Sequence, residues 1–154
     1  MPPVNGSPRR TYVLEPSLEF MRLLWSIEHS LQRMSKRMAQ EMGITMPQRL
    51  VLRVVGQFPD LSAGDLAHIL RLHPSTITGI LQRLVARGYL ERKRDPGDSR
   101  RARLRLKPSE TRHLRAAPGT VERAVAAALA RTGKPNVRAA QKVLAEIARA
   151  LDRA

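Results

Sequence analysis

Residues 73–106, HPSTITGILQRLVARGYLERKRDPGDSRRARLRL, combine two different spacings of apolar residues. The first half of this stretch places apolar residues at i, i+3, i+4, i+7 and i+8 from Ile77, the spacing of one face of an α-helix. Its end alternates apolar residues with arginine from 102 to 106, the period of a half-buried strand. Between them, Asp95-Pro96-Gly97-Asp98 has the composition of a turn. The stretch therefore predicts a helix followed by an antiparallel β-hairpin, with residues 89–93 as its first strand.

Three helices are predicted before this stretch. Residues 16–42 carry one apolar stripe, and Gly43 follows at the position of a helix C-cap. A second helix opens at Thr45, the first residue of a T-x-x-Q capping box. A third, short helix begins at Ser62, and a tight link joins it to the helix predicted within residues 73–106. The pattern predicts two short helices with a tight turn between them, directly before a hairpin.

The chain is predicted to be helical again after the hairpin. Pro118-Gly119 interrupts this segment, so we expect either a kink there or a short helix followed by one over about 119–131. A last helix carries apolar residues at spacings of three and four from Val137 to Leu151. The first and last helices thus have narrow apolar seams, which pack helices together within one chain or between two chains.

Composition narrows the class of protein. The chain has 154 residues, which predicts one domain, and a net charge of +15, which predicts a polyanionic partner. Nine basic and three acidic residues lie between 87 and 107, at and just before the hairpin. Cysteine is absent, which excludes disulfides, thiolate metal sites and a thiol redox switch. The N-terminus lacks an apolar signal core and no membrane span is visible, so we expect a cytoplasmic protein.

The predicted layout, a helix-turn-helix followed at once by a basic hairpin, is that of a winged helix. On the second helix, Gln82 can pair bidentately with adenine, and Arg83 can pair with guanine or a phosphate. Small side chains near its N-terminus allow a close approach to base edges in the major groove. The arginine-rich hairpin suits a minor groove or the phosphate backbone. Residues alone therefore predict a double-stranded DNA-binding protein.

The order of elements resembles that of the MarR family of bacterial transcriptional regulators. The carrying segments are ITMPQRLVL (44–52), LSAGDLAHIL (61–70), HPSTITGILQRLVARGYLERKRDPGDSRR (73–101) and LRLKP (104–108). The resemblance implies a mainly α fold with a small β-hairpin wing. It also implies a flexible arm at 1–14 and a single domain at 15–154, with a winged helix-turn-helix core at about 45–107 and dimerisation helices at about 16–43 and 109–153.

The resemblance further implies a homodimer on a pseudo-palindromic operator, with recognition helices ~34–36 Å apart, acting as a repressor that a small effector releases. In the family's wing motif an aspartate braces an arginine that enters the minor groove. These positions are Asp98 and Arg100 here, with Arg101 as a neighbouring phosphate contact. The predicted DNA contacts are Ser75, Thr76, Thr78, Gln82 and Arg83 on the recognition helix, Arg92, Arg94, Asp98, Arg100 and Arg101 on the wing, and Ser62, His73 and Arg49 to the DNA backbone.

Family members often bind small aromatic acids between the dimerisation helices and the winged helix. Trp25, His29 and Met46, with Arg49 as a cation for a carboxylate, are candidates for such a pocket in this chain. Each also has a plainer interpretation: Trp25 as helix packing, His29 as a surface residue and Arg49 as a phosphate contact. The four histidines show no ligand spacing, so no metal or cofactor is predicted, and the common enzyme motifs are absent.

Two further interpretations stay open. The charge of +15 would also suit an architectural or nucleoid-type DNA binder with little base specificity. A winged helix used to dock proteins is a weaker alternative, because it would not need this basicity. Three features depart from the family pattern. Gly79 stands in the recognition helix where relatives often carry a larger side chain, which weakens the expected base preference and favours the architectural alternative. Lys107-Pro108 replaces the usual Leu-Thr ending of the wing, and the Pro118-Gly119 break makes the dimerisation helices less regular.

Overall fold

The computed structural model describes residues 12–98, 101–115 and 117–154. The elements, in chain order, are α1 (Pro16–Met42), α2 (Met46–Gln57), α3 (Ala63–Leu70), α4 (Pro74–Ala86), β1 (Leu90–Arg94), β2 (Ala102–Leu106), a 3-10 helix (Pro108–Leu114), α5 (Val121–Arg131) and α6 (Lys134–Leu151). The prediction of a mainly α fold with one β-hairpin is confirmed. The predicted arm, residues 1–14, lies largely outside the described residues.

Local capping chemistry sets the helix boundaries. Gly43 ends α1 with φ of 69°, a left-handed conformation that glycine adopts without steric strain, and its N–H donates to the Ala39 carbonyl. The Thr45 hydroxyl accepts from the Gln48 N–H while the Gln48 side chain accepts from the Thr45 N–H. Ser62 and Asp65 form the same reciprocal box at the start of α3. Each of these boundaries lies where the sequence predicts it.

The hydrophobic core joins the helix-turn-helix to the hairpin. Leu66 of α3 and Leu81 of α4 are fully buried, and the two strands each contribute one almost fully buried leucine, Leu90 and Leu104. Opposite them, α2 contributes Leu52 and its neighbours. Because both strands insert leucine into the core shared by α2, α3 and α4, the orientation of the hairpin is coupled to that of α4.

The hairpin is antiparallel, with Leu90 opposite Leu106 and Arg94 opposite Ala102. Its inner strand also pairs with the α2–α3 link: the Leu104 N–H donates to the Leu61 carbonyl at 2.8 Å, and the Asp60 N–H donates to the Leu104 carbonyl at 3.2 Å. These bonds fix the base of the hairpin against the helix-turn-helix.

Helical structure after the hairpin is interrupted at Pro118-Gly119, as the sequence predicts. The 3-10 helix at Pro108–Leu114 packs against α2, and Gly119 then takes φ of 77° before α5 begins at Val121. The Gly133 position separates α5 from α6. The break therefore turns the chain back along the core instead of extending one long helix.

The first and last helices leave most of their apolar residues exposed. In α1 only Met38 is buried, and α6 has no buried residue among those the structure describes. The large exposed apolar side chains of α1, α5 and α6 are Leu18, Phe20, Met21, Leu23, Trp25, Ile27, Val125, Leu129, Val143, Leu144 and Leu151. Of the large apolar residues in the predicted seams, Phe20, Ile27, Leu144 and Leu151 are exposed, whereas the others are at least partly buried within the chain.

None of the helices in the described ranges combines the length and apolarity needed to cross a bilayer. Nor does this part of the chain bring three or more histidine, aspartate or glutamate side chains into a cluster that could hold a metal ion.

Candidate DNA-binding interface

Helix α4 turns one face into the core and a polar face to solvent. Ile77, Ile80, Leu81 and Leu84 are buried, whereas the predicted contact residues Ser75, Thr76, Thr78, Gln82 and Arg83 are exposed. His73 caps the helix, since its Nδ1 accepts from the Ser75 N–H at 3.3 Å. The structure thus places all five predicted side chains of the recognition helix on its free surface.

Intramolecular hydrogen bonds divide four of these side chains into two groups. The Thr78 hydroxyl donates to the Pro74 carbonyl at 2.9 Å, and the Ser75 hydroxyl lies 2.7 Å from Nδ1 of His73. Within the part of the chain that the structure describes, the Gln82 and Arg83 side chains have no hydrogen-bond or ion-pair partner. Gln82 and Arg83 therefore have their full donor capacity available for a ligand, whereas Thr78 has mainly its methyl group.

The arginines of the hairpin also divide into two groups. Arg103 donates two bonds to Asp95, at 2.9 and 3.0 Å, and Arg105 donates two to Asp60, at 2.6 and 3.0 Å. These paired guanidinium groups lower the pKa of both aspartates below the usual range. Such two-bond pairs hold the hairpin in one orientation and leave little charge for an external phosphate.

Two other hairpin arginines are free to bind. Arg92 and Arg94 are exposed and, among the described residues, have no ion-pair partner. Arg101 is exposed and lies 3.8 Å from Asp65, the N3 residue of α3, a distance at which the pairing is weak. The predicted wing residue Arg100 lies outside the described residues, and so does the predicted brace between it and the exposed Asp98.

A cleft of about 370 Å³ lies between the start of α3 and the hairpin, lined by Ser62, Ala63, Gly64, Arg92, Arg101, Ala102 and Leu104. The Ser62 hydroxyl accepts from the Asp65 N–H and donates to its carboxylate at 2.6 Å. This hydroxyl and then the Ser62 N–H lower the pKa of Asp65. Ser62 is thereby committed to its cap, so the arginines carry the positive charge of this cleft.

Arg49 is a correction to the predicted interface. Its side chain is 4% exposed and ion-paired with Glu122 of α5, and its Nη2 donates to the Arg115 carbonyl at 2.7 Å. Arg53, one turn further along α2, lies 3.5 Å from the same carboxylate. A guanidinium enclosed in this way reaches neither a DNA phosphate nor a ligand carboxylate, so the assignment of Arg49 to either role is wrong.

The predicted effector residues are not brought together within one chain. Met46 lines a groove of about 450 Å³ between α1 and the start of α2, with Glu28, Leu31, Gln32, Ser35, Lys36, Thr45 and Pro47. Trp25 is 75% exposed, and neither it nor the exposed His29 lines this groove. Of Trp25, His29 and Met46, only Met46 lines the groove, and the cationic residue in its lining is Lys36.

Sequence reasoning missed Asp60, Asp95, Arg103 and Arg105 as the residues that orient the hairpin. A local signal existed for Asp95, because its carboxylate accepts from the Gly97 N–H at 2.8 Å, as an aspartate that opens a turn commonly does. Asp60 gave no such signal, because its partner Arg105 is 45 residues away.

Comparisons with known proteins agree with this geometry. Residues 42–101 match the model of the MarR family. The HTH-type transcriptional regulator TtmR of Methylorubrum extorquens (strain PA1) is 31% identical over 83 residues, which are 54% of this chain and 43% of that protein. This chain therefore matches less than half of that relative's length.

Two solved structures share the fold. The PcaV transcriptional regulator from Streptomyces coelicolor, solved in complex with its natural ligand, has a TM-score of 0.71 and 25% identity, over 92% of this chain and 99% of that one. The MepR–DNA complex of S. aureus has a TM-score of 0.68 and 19% identity, over 86% of this chain and 97% of that one, which shows a common fold alone. Residues 42–101 therefore match the MarR family, the family that the sequence resembles, and the winged-helix geometry and the fold shared over most of the chain agree with that match.

Proposed function

We propose that the protein is a sequence-specific regulator that binds a pseudo-palindromic operator as a homodimer and represses transcription until a small molecule releases it. The observation that carries this proposal is the polar face of α4. Gln82 and Arg83 stand exposed there without intramolecular partners among the described residues, beside a hairpin that presents Arg92 and Arg94 in the same state. Side chains of these types supply base readout and phosphate contact respectively.

The exposed apolar residues of the terminal helices support the homodimer. Exposed leucine, isoleucine and aromatic side chains on α1, with exposed valine and leucine on α6, form apolar surface of the kind that marks protein–protein contacts. A second copy burying the same surfaces would relate two α4 helices by a two-fold axis, and such a pair reads an inverted repeat. Residues 15–154 then act as one unit, with the winged helix held between its terminal helices.

The groove beside Met46 supports a small-molecule effector. Its volume of about 450 Å³ lies in the range of ~300–1,000 Å³ that is usual for ligand pockets, and its lining combines apolar side chains with Lys36 and the oppositely charged Glu28. Such a groove suits a small aromatic carboxylate. An effector releases DNA only if it binds the free protein more tightly than the DNA-bound form.

Selection from a randomised DNA pool at ~150 mM salt tests the proposal. We expect enrichment of an inverted repeat with half-sites about one helical turn apart. The architectural alternative, favoured by the charge of +15, predicts an unenriched pool retained only at low salt. The deciding quantity is the ratio of specific to non-specific affinity, ~10³–10⁷ for operator binders.

Melting temperature and operator release, measured across a set of aromatic carboxylates, test the effector. We expect one member to raise the melting temperature and to release the operator, and Lys36→Gln to weaken both effects. An absence of shift and of release across the set would contradict effector control and leave operator binding intact.

A further inference from the structure

Gly79 lies in the middle of α4, on the helix face that also carries Ser75, Thr78, Gln82 and Arg83. Helices favour alanine and unbranched long side chains over glycine, so the absence of a long side chain from the middle of this face requires a reason. Backbone conformation is not the reason: the glycines with positive φ in the described residues are Gly43, Gly88 and Gly119.

The neighbour of Gly79 supplies a reason. A Cβ atom at position 79 would have Nη2 of Arg83 as its near contact, at 3.7 Å. Long side chains on a helix run back toward its N-terminus, over the residue four positions earlier. The Arg83 guanidinium therefore lies beside the bare backbone of Gly79, about one turn closer to the N-terminal end of α4 than its own Cα atom.

We propose that Gly79 is a specificity-determining residue, an inference that rests on the proposed function. The surface at Gly79, called the seat below, holds the Arg83 guanidinium close to the helix. From there the guanidinium contacts a guanine edge and not a phosphate. A phosphate contact needs only charge at the end of an extended side chain. A guanine contact needs a planar fork held flat against the major-groove edge, with two donors aimed at O6 and N7. Seating on the glycine keeps the fork near the helix surface, which faces the bases.

The rest of the face supports this role. Ser75 and Thr78 direct their hydroxyl groups to His73 and to the Pro74 carbonyl, so they form a low surface beside the seat. A flat surface allows α4 to approach the bases closely, and Arg83 then extends across it without an internal partner among the described residues. Gly79 therefore need not weaken base preference, because the glycine leaves open the place that the arginine occupies.

Four substitutions test the seat by selection from the randomised pool. Gly79→Ala is the matched control, because a Cβ atom 3.7 Å from Arg83 Nη2 is an ordinary contact; we expect its base preference to be unchanged. Gly79→Leu places a side chain where the guanidinium lies, and we expect it to lose guanine preference at one position of each half-site. Arg83→Ala and Arg83→Lys should lose the same preference, by about 5- to 140-fold, and Arg83→Lys should keep the wild-type salt dependence.

The double variant Gly79→Leu/Arg83→Ala should lose no more preference at that position than Arg83→Ala alone. Circular dichroism melting checks folding, and Gly79→Met replaces Gly79→Leu if the latter melts early. Retained guanine preference in a folded Gly79→Leu or Gly79→Met variant would overturn the seat. Uniform weakening across all sequences in Arg83→Ala would make Arg83 a phosphate contact and would overturn it as well. An unenriched pool with the wild-type protein would instead contradict the proposed function.

Discussion

Arg49 of α2 and Glu122 of α5 form an ion pair that joins the winged helix to the C-terminal helices across 73 positions of sequence. Arg49 is almost fully enclosed, and its second bond goes to the Arg115 carbonyl in the link between the 3-10 helix and α5. A change in the position of α5 therefore acts directly on α2, and α2 packs on the core that holds α4.

Removing Glu122 should strongly destabilise the protein. Glu122→Ala leaves the Arg49 guanidinium buried without its carboxylate, and breaking such a pair costs ~3–5 kcal/mol, toward the lower end here because Glu122 is partly exposed. Chemical denaturation measures this loss. Glu19→Ala is the control, since it breaks the exposed pair with Arg22 and should change stability little. Equal effects of the two substitutions would contradict the structural role of the buried pair.

Acid should release the hairpin through Asp60 and Asp95. Hydrogen bonds from Arg105 and Arg103 hold the pKa of each carboxyl below its ordinary value of 3.8. Groups with a depressed folded-state pKa contribute stability above the unfolded-state value, and this contribution is lost as pH falls below about 3.8 and through the folded-state pKa. The double variant Asp60→Asn/Asp95→Asn should be less stable than the wild type at about pH 5. Between about pH 5 and about pH 2, its melting temperature should fall less steeply than that of the wild type. Parallel curves for the two proteins would rule out this contribution.

His113 should give a second pH dependence at milder acidity. Burial lowers its pKa below the ordinary value of 6.5; the nearby Arg112 and Arg49 act in the same direction, and Glu110 opposes them. The unfolded chain then binds the proton more readily, so stability falls as pH drops below about 6.5 until the folded-state pKa is passed. His113→Phe, which keeps a ring against Tyr89, should remove this slope. Stability should be measured between about pH 7 and about pH 5, the range in which histidine ordinarily titrates. If the stability of His113→Phe changes with pH as steeply as that of the wild type, another group is responsible for the pH dependence.

The exposed arginines of the hairpin should control the salt dependence of DNA binding. Arg92→Ala and Arg94→Ala should each lower the salt slope by about one unit, because each removes one cation from the DNA phosphates. Arg100→Ala should weaken binding by ~1–3 kcal/mol, as predicted for the wing residue from sequence. Arg138→Ala, an exposed arginine of α6, is the control and should leave the salt titration unchanged. If all four variants and the wild type have the same salt dependence of DNA affinity, the hairpin is not part of the DNA interface.

Charge placed in the apolar seams should dissociate the dimer. Ile27→Asp and Leu144→Asp introduce a carboxylate on exposed apolar positions of α1 and α6, and burying that charge between chains is unfavourable. Sedimentation should show monomers, with operator affinity reduced because one chain binds one half-site. Leu50→Asp, at a similarly exposed leucine of α2, should stay dimeric. A monomeric wild-type protein would contradict the homodimer itself.

Much of the fold and part of the interface follow from local sequence. Gly43, the capping boxes at Thr45 and Ser62, and the break at Gly119 each act within a few residues, so their effect was predictable without tertiary contacts. The apolar spacing in α4 likewise determined which side chains face outward, and this put Gln82 and Arg83 on the free surface.

Which arginines can bind a ligand depends on contacts between segments that are distant in sequence. Arg49, Arg92 and Arg105 look alike in sequence, yet Arg49 is enclosed by α5, Arg105 is held by Asp60, and Arg92 stays free among the described residues. The physical reason is that a guanidinium's availability depends on a carboxylate brought near by chain folding, across 45 and 73 residues in these two pairs. Local sequence patterns thus account for the helices, the hairpin and the sign of the charge, whereas long-range packing determines which of the described arginines are paired with a carboxylate.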